Sequence, residues 1–283
     1  MSKLFRVVQV VIGGFLWLVF AHASWAASDP YEYEVKSVKY KNLVASLYLP
    51  KSEGRVPVVI AFGGSDGGIG FGDANGKMIA PSGVAVLALA YFKEDGLPKT
   101  LDDIPLEYFV QAIDYVQTVT SIDASRIGVV SGSRGSEAAF LLASMDDRIK
   151  SLAVTTPSYV SWGGTKSDSA WTIGGVAVPA LSLKLDDTIS KLNRYRTALE
   201  NKDAVEIATF HMEKINGPIF IISAKNDQVW PSYDMSVAIE AYLARHKFKH
   251  SVTHASYLTG HGFSSESAPA IKRSIVDHFL RTL

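Results

Sequence analysis

The chain has 283 residues, a formal net charge of +0 and 47% hydrophobic side chains. That is enough apolar material for one large domain core, and without a broad basic or acidic field nucleic acid is excluded as the main partner. There is no cysteine, which excludes disulfides, a thiolate nucleophile and a cysteine metal site.

The first residues read as an address. Lys3 and Arg6 precede an uncharged apolar run over 7–20, and Ser24-Trp25-Ala26 supplies small residues where a signal peptidase cuts. The pattern predicts a secretory signal peptide over 1–26, cleaved after Ala26, and hence a periplasmic or secreted protein with no stable membrane association after cleavage. The apolar run is shorter than the roughly 20 residues of a membrane span.

Residues 31–38 and 43–49 alternate apolar and polar side chains around Lys41-Asn42, which predicts an antiparallel hairpin. The runs 57–62 and 83–90 are apolar throughout, as strands buried on both faces of a parallel sheet are. A glycine-rich loop is predicted between them over 63–76. Leu106, Phe109, Val110, Ile113 and Val116 fall on one face of a helix over 106–119. Strands follow at 126–130 and 152–155, with a helix over 136–143.

From 158 to about 213 the regular alternation stops. This stretch holds Trp162, Trp171, two glycine pairs and a polar helical segment over 188–201, and is expected to form a cap over the strand ends. Strand 219–223, helix 236–246, strand 251–257 and helix 270–280 complete the chain. Such alternation predicts an open, mostly parallel α/β sheet with helices on both faces, one domain plus a cap insertion.

One junction carries chemistry. The strand ending at Val130 runs into Ser131-Gly132-Ser133-Arg134-Gly135 and then a helix. Strand, tight turn with a central serine, then helix is the nucleophile elbow of the α/β-hydrolase fold, in which residues two either side of the serine must be small. Ser131 and Gly135 meet that need. The fold's chain order of serine, acid, histidine then selects Asp227, beyond strand 219–223, and His261, beyond strand 251–257.

In this scheme His261 takes the Ser133 proton and Asp227 orients the imidazole. The oxyanion would rest on the backbone N–H of Arg134 and on a second N–H from the loop after Phe62, at Gly64 or Ser65. Among the other histidines, His22 leaves with the signal, while His246 and His250 flank a lysine-rich helix end. His254 is read as a packed or edge residue, His278 sits in the last helix, and His211 is the one alternative base retained. No metal is expected, for want of a cluster with ligand spacing. No cofactor is expected, because Gly63-Gly64 and Gly67-Gly68 have the wrong spacing for a dinucleotide fingerprint.

Several segments resemble the C-terminal catalytic domain of the acyl-CoA thioester hydrolase and bile-acid-CoA:amino-acid N-acyltransferase family. They are Gly83 through Phe92 continuing to Gly96-Leu97-Pro98-Lys99, Leu106-Glu107-Tyr108-Phe109 with Ala112, Gly132-Ser133-Arg134-Gly135 with Glu137, Met212 through Pro218, and Asp227-Gln228-Val229-Trp230-Pro231-Ser232. The resemblance spans about 57–280 and implies the same three catalytic residues and thioester or related acyl chemistry. It implies a small acyl thioester or ester as substrate. Trp230, Trp162 and Trp171 are expected to line its acyl pocket. Lys184, Lys191, Arg194 and Arg196 are read mainly as a solvated face and secondarily as contacts for CoA phosphates. A serine nucleophile favours water over amines as acceptor, hence hydrolysis. The readings held beside thioester cleavage are a dienelactone-hydrolase-like esterase, a peptidase, and a catalytically silent ligand-binding member of the fold.

Overall fold

A computed structural model describes residues 30–183 and 188–283. The predicted signal segment and Lys184 lie outside the described residues. In chain order the elements are β1 (Tyr33–Ser37), β2 (Val44–Pro50), β3 (Val56–Phe62), α1 (Gly70–Ile79), β4 (Ala85–Ala90), β5 (Ile104–Pro105), α2 (Glu107–Thr118), β6 (Ile122–Gly132) and α3 (Gly135–Met145). They continue as β7 (Ile149–Thr155), β8 (Trp171–Ile173), β9 (Val176–Ala177), α4 (Lys191–Ala198), α5 (Lys202–Ala208), β10 (Ile219–Ala224), α6 (Ser232–Arg245), β11 (Val252–Tyr257) and α7 (Ala268–Thr282).

Eight strands form one sheet in the order β1-β2-β4-β3-β6-β7-β10-β11. The predicted hairpin supplies the antiparallel edge, with Tyr33 opposite Pro50 and Ser37 opposite Ser46. From β4 to β11 every neighbouring pair is parallel. The uninterrupted apolar runs serve two cores at once. Val58, Ile60 and Phe62 of β3 pack with α2 and α3 on one face, while Val59 and Ala61 join α1 and α7 on the other. Side chains alternate across a strand, so a strand buried on both faces has no polar position to spare.

The predicted loop over 63–76 is a loop only in its first part, because α1 begins at Gly70. Its glycines serve close packing. A Cβ on Gly72 would fall 2.7 Å from the Ala88 Cα, and one on Gly76 2.4 Å from the Tyr48 ring. Helix propensity counts glycine as a breaker, but the backbone here must lie directly on the sheet.

The connection from β7 to β10 holds β8, β9, α4 and α5, the last two begun by side-chain caps from Ser190 and Asn201. Its own apolar cluster joins Val160, Trp162, Leu181, Tyr195 and Ala208 to Trp230 and Met235. A small second sheet, β5-β8-β9, ties this connection to the segment ahead of α2.

The sheet order also creates a switch point. From β3 the chain steps to β4 on one side, and β6 then lies on the other side of β3. In open α/β sheets the crevice at such a reversal, outside the carboxyl ends of the strands, is where ligands bind.

Candidate active site

Ser133 stands at that crevice, one residue beyond β6, in the left-handed region with φ 52°. Such a conformation costs on the order of 1–3 kcal/mol in a non-glycine residue and persists only where the surroundings hold it. Here the Ser133 N–H donates to the Thr155 carbonyl (2.9 Å), and its own carbonyl accepts from the Ser136 amide (2.9 Å) and hydroxyl (2.6 Å). The side chain is thereby turned out of the sheet and presented at the start of α3.

Asp227 and His261 come from the loops after β10 and β11, and these loops are laced together. The Lys225 and Asn226 amides donate to the carbonyls of Tyr257 and Thr259 at 2.8 and 3.0 Å. His261 Nε2 lies 2.9 Å from Ser133 Oγ, and His261 Nδ1 lies 2.8 Å from Asp227 Oδ2. The other carboxylate oxygen accepts from the amides of Val229 (2.8 Å) and Trp230 (3.2 Å). Burial pushes the Asp227 carboxyl upward, but the bonds from His261, Ser232 and Val229 outweigh it and hold the group below its ordinary value. A carboxylate thus faces the imidazole across residues far apart in sequence.

A pocket of about 350 Å³ opens over these groups, lined by Ser133, His261, Gly64, Ser65, Phe71, Thr155, Thr156 and Lys191 among others. Gly64 is pressed against the elbow: a Cβ there would lie 2.9 Å from both the Gly132 carbonyl oxygen and the Ser133 Cβ, and 3.1 Å from the Arg134 amide nitrogen. The loop after β3 and the residue after the serine therefore border the same small space. Lys93 Nζ secures the loop by donating to the Ser65 carbonyl at 3.0 Å.

The three tryptophans are found elsewhere than expected. Trp162 and Trp171 have no exposed surface, Trp230 has 1%, and none of them lines the pocket. Their N–H groups find buried acceptors instead. Trp162 Nε1 donates to Ser158 Oγ (2.8 Å), Trp171 Nε1 to Glu137 (2.9 Å) and Trp230 Nε1 to the Thr156 carbonyl (3.1 Å). The Trp230 ring meets His261 edge-on at 5.9 Å and so backs the imidazole rather than the substrate space. An indole whose N–H is satisfied inside a packed cluster is a wall of the core.

Of the cap cations, Lys191 lines the pocket and the arginines do not. Arg134 also contributes a side chain. Its guanidinium pairs with Glu137 and donates to the carbonyls of Trp162 and Gly163 at 3.0 Å each. Sequence reading missed Phe71, Thr155, Thr156 and Phe263 as pocket residues. The positive φ of Thr156 (41°) and Phe263 (58°) leaves no mark in composition.

Among the described residues, the other histidines lie outside the pocket lining. His254 on the edge strand bridges Ser223 and Glu240 at 2.7 Å each, with Ser223 fully buried. His278 is buried against Ser151. His211 is exposed beside Glu213 at 3.3 Å. Among the described residues no three His, Cys, Asp or Glu side chains gather as a metal site.

The sheet order and the strand–turn–helix elbow at the switch point define an α/β hydrolase, and solved structures agree on the fold. A dienelactone hydrolase from Klebsiella pneumoniae, itself described as putative, superposes with a TM-score of 0.62 at 13% identity, over 88% of this chain and 98% of that one. Pyrococcus horikoshii acylaminoacyl peptidase gives 0.61 at 14%, over 90% and 42%.

Within that class, residues 104–279 match the family described as BAAT / Acyl-CoA thioester hydrolase C terminal, and the chain belongs to this family. Acyl-coenzyme A thioesterase 3 of Mus musculus is 28% identical over 193 residues, covering 66% of this chain and 43% of that protein. Acyl-coenzyme A thioesterase 1 of Homo sapiens is 26% identical over 192 residues, covering 66% and 44%. The chain thus spans less than half the length of these relatives.

Proposed function

We propose that this chain is a serine hydrolase that cleaves acyl thioesters through Ser133, His261 and Asp227. The observation that carries the reading is the hydrogen-bonded series Ser133 Oγ to His261 to Asp227, at 2.9 and 2.8 Å, opening into one pocket. Its distances lie within the range a nucleophile and its general base require.

In the first half-reaction His261 Nε2 removes the hydroxyl proton as Ser133 Oγ bonds to the acyl carbon. Negative charge collects on the carbonyl oxygen, to which the N–H of Arg134 and one from Gly64 or Ser65 would donate. The C–S bond then breaks, and the imidazolium returns its proton to the departing thiolate. Water, activated by the same imidazole, cleaves the acyl-serine ester and frees the acid. Asp227 stays ionised throughout and holds Nδ1–H toward itself. An acyl-serine is a poorer donor to amines than an acyl-cysteine, so water is the acceptor.

A second reading, carboxylic-ester hydrolysis, draws on the apparent export signal over 1–26, which would carry the enzyme away from cytoplasmic acyl-CoA. We place the mature protein in the periplasm or outside the cell. The test is labelling of purified protein with a fluorophosphonate, followed by turnover of acyl-CoAs and p-nitrophenyl esters of graded length. Labelling with higher kcat/KM for thioesters supports the first reading, while a preference for oxygen esters selects the second. An enzyme that neither labels nor turns over acyl substrates refutes both.

A further inference from the structure

The proposed oxyanion donors come from two separate stretches of chain, the residue after Ser133 and the loop after β3. One buried set of side chains touches both. Glu137 has no exposed surface. One of its oxygens accepts from Arg134 Nε, and the other accepts from the Trp162 amide (3.0 Å) and from Trp171 Nε1 (2.9 Å). The Trp171 ring packs on Tyr91, with centroids 5.7 Å apart. Tyr91, itself buried, donates its hydroxyl to the Gly63 carbonyl at 2.9 Å. A continuous path therefore runs from Arg134 through Glu137, Trp171 and Tyr91 to Gly63.

Stability alone gives little reason for such a path. A buried ion pair gains little over apolar residues of the same volume, and each partner is expensive to leave unmatched. Burial also pushes the Glu137 carboxyl upward, against the pull of Arg134 and the two N–H donors. What the path achieves is geometric, since it fixes the elbow turn and the β3 loop relative to each other.

We propose that Glu137 is the positioning residue of the oxyanion hole, with Tyr91 as its link to the second donor loop. The proposal rests on the reading of Ser133 as nucleophile. Neither Glu137 nor Tyr91 lines the pocket, so their effect falls on the stabilisation of developing charge rather than on substrate affinity.

The experiment compares wild type, Tyr91→Phe, Glu137→Gln and the double variant in kcat, KM and inhibition by an acyl trifluoromethyl ketone. That ketone forms an oxyanion on the serine. Displacing a donor by a fraction of an ångström to an ångström costs up to about 100-fold. Each single variant is expected to lose 10- to 100-fold in kcat, with KM within about threefold. The ketone's Ki should rise by the factor lost in kcat, and the double variant should lose less than the product of the two. Folded variants that melt earlier but keep kcat and Ki would overturn the positioning role, as would a rise in KM alone. Should Glu137→Gln fail to fold, Tyr91→Phe decides, because it removes a single hydroxyl from a ring that stays packed. A wild type that neither labels with fluorophosphonate nor binds the ketone would sink the nucleophile reading and this proposal together. A labelled wild type with an unaffected Tyr91→Phe sinks the positioning role alone.

Discussion

Gly135 and Gly63 are in backbone contact: a Cβ on Gly135 would lie 2.1 Å from the Gly63 carbonyl oxygen and 2.4 Å from Ser131 Oγ. Neither neighbour is the loose end of a flexible side chain. Gly63 O is held by Tyr91, and Ser131 Oγ donates to the Phe62 carbonyl at 2.7 Å. Gly135→Ala must therefore part α3 from the β3 loop. The expected outcome is a loss of about 1–3 kcal/mol in stability, the usual cost of overpacking, with kcat reduced at least tenfold in protein still folded. Urea unfolding and steady-state kinetics on the same preparation measure both.

Ser133→Ala removes the nucleophile but keeps the bonds that the Ser133 N–H and carbonyl make to hold its left-handed conformation. Turnover is expected to fall on the order of 10⁴–10⁶-fold, with fluorophosphonate labelling lost and thermal stability retained or raised. Asp227→Asn should keep the fold but lose on the order of 10⁴-fold in kcat, because an amide facing Nδ1 favours the wrong tautomer. Equal activity in wild type and Ser133→Ala would end the serine mechanism.

His278 provides a pH signature of folding. Burial first, and then the charge of Arg281, lower it from 6.5 to about 4. Between those values the unfolded chain binds a proton that the folded chain does not. Its contribution to stability is therefore complete above pH 6.5 and is lost as pH falls toward 4, on the order of 1 kcal/mol per pH unit. Denaturant melts from pH 7 to 4 should be steeper in pH for wild type than for His278→Gln, whose amide can still meet Ser151. Parallel curves would refute the assignment.

Lys191 is the side chain through which the pocket would meet a charged leaving group. Lys191→Glu is expected to raise KM for acyl-CoA several-fold and more strongly at low ionic strength, leaving KM for a neutral p-nitrophenyl ester unchanged. Equal effects on both substrates would mean that Lys191 does not read charge.

How much of this was legible beforehand differs between elements. The strand at 57–62 and the one at 219–223 were readable because a two-sided burial leaves an unbroken apolar run, a purely local pattern. The elbow was readable because backbone strain at Ser133 restricts its neighbours to small residues. Asp227 and His261 were readable as candidates from their position after strands, although only folding brings them to 2.8 Å from each other. By contrast, α1 was hidden because Gly72 and Gly76 answer to the close approach of Ala88 and Tyr48, partners that are invisible along the chain. The short strand β8 was hidden because it owes its form to pairing with β5, far back in the chain, and β9 is only the two-residue return of the turn that follows β8.

By itself, then, the sequence determined the alternation of strands and helices and the order of serine, acid and histidine, since periodicity and turn sterics act over a few residues. Tertiary structure decided the rest. It buried the tryptophans that the family resemblance led one to expect in an acyl pocket, and it placed Glu137 where two tryptophan N–H groups and Arg134 converge. It also pressed the β3 loop against the elbow. Those outcomes depend on which distant surfaces meet and which buried polar groups must be satisfied, and no local pattern in the chain encodes either.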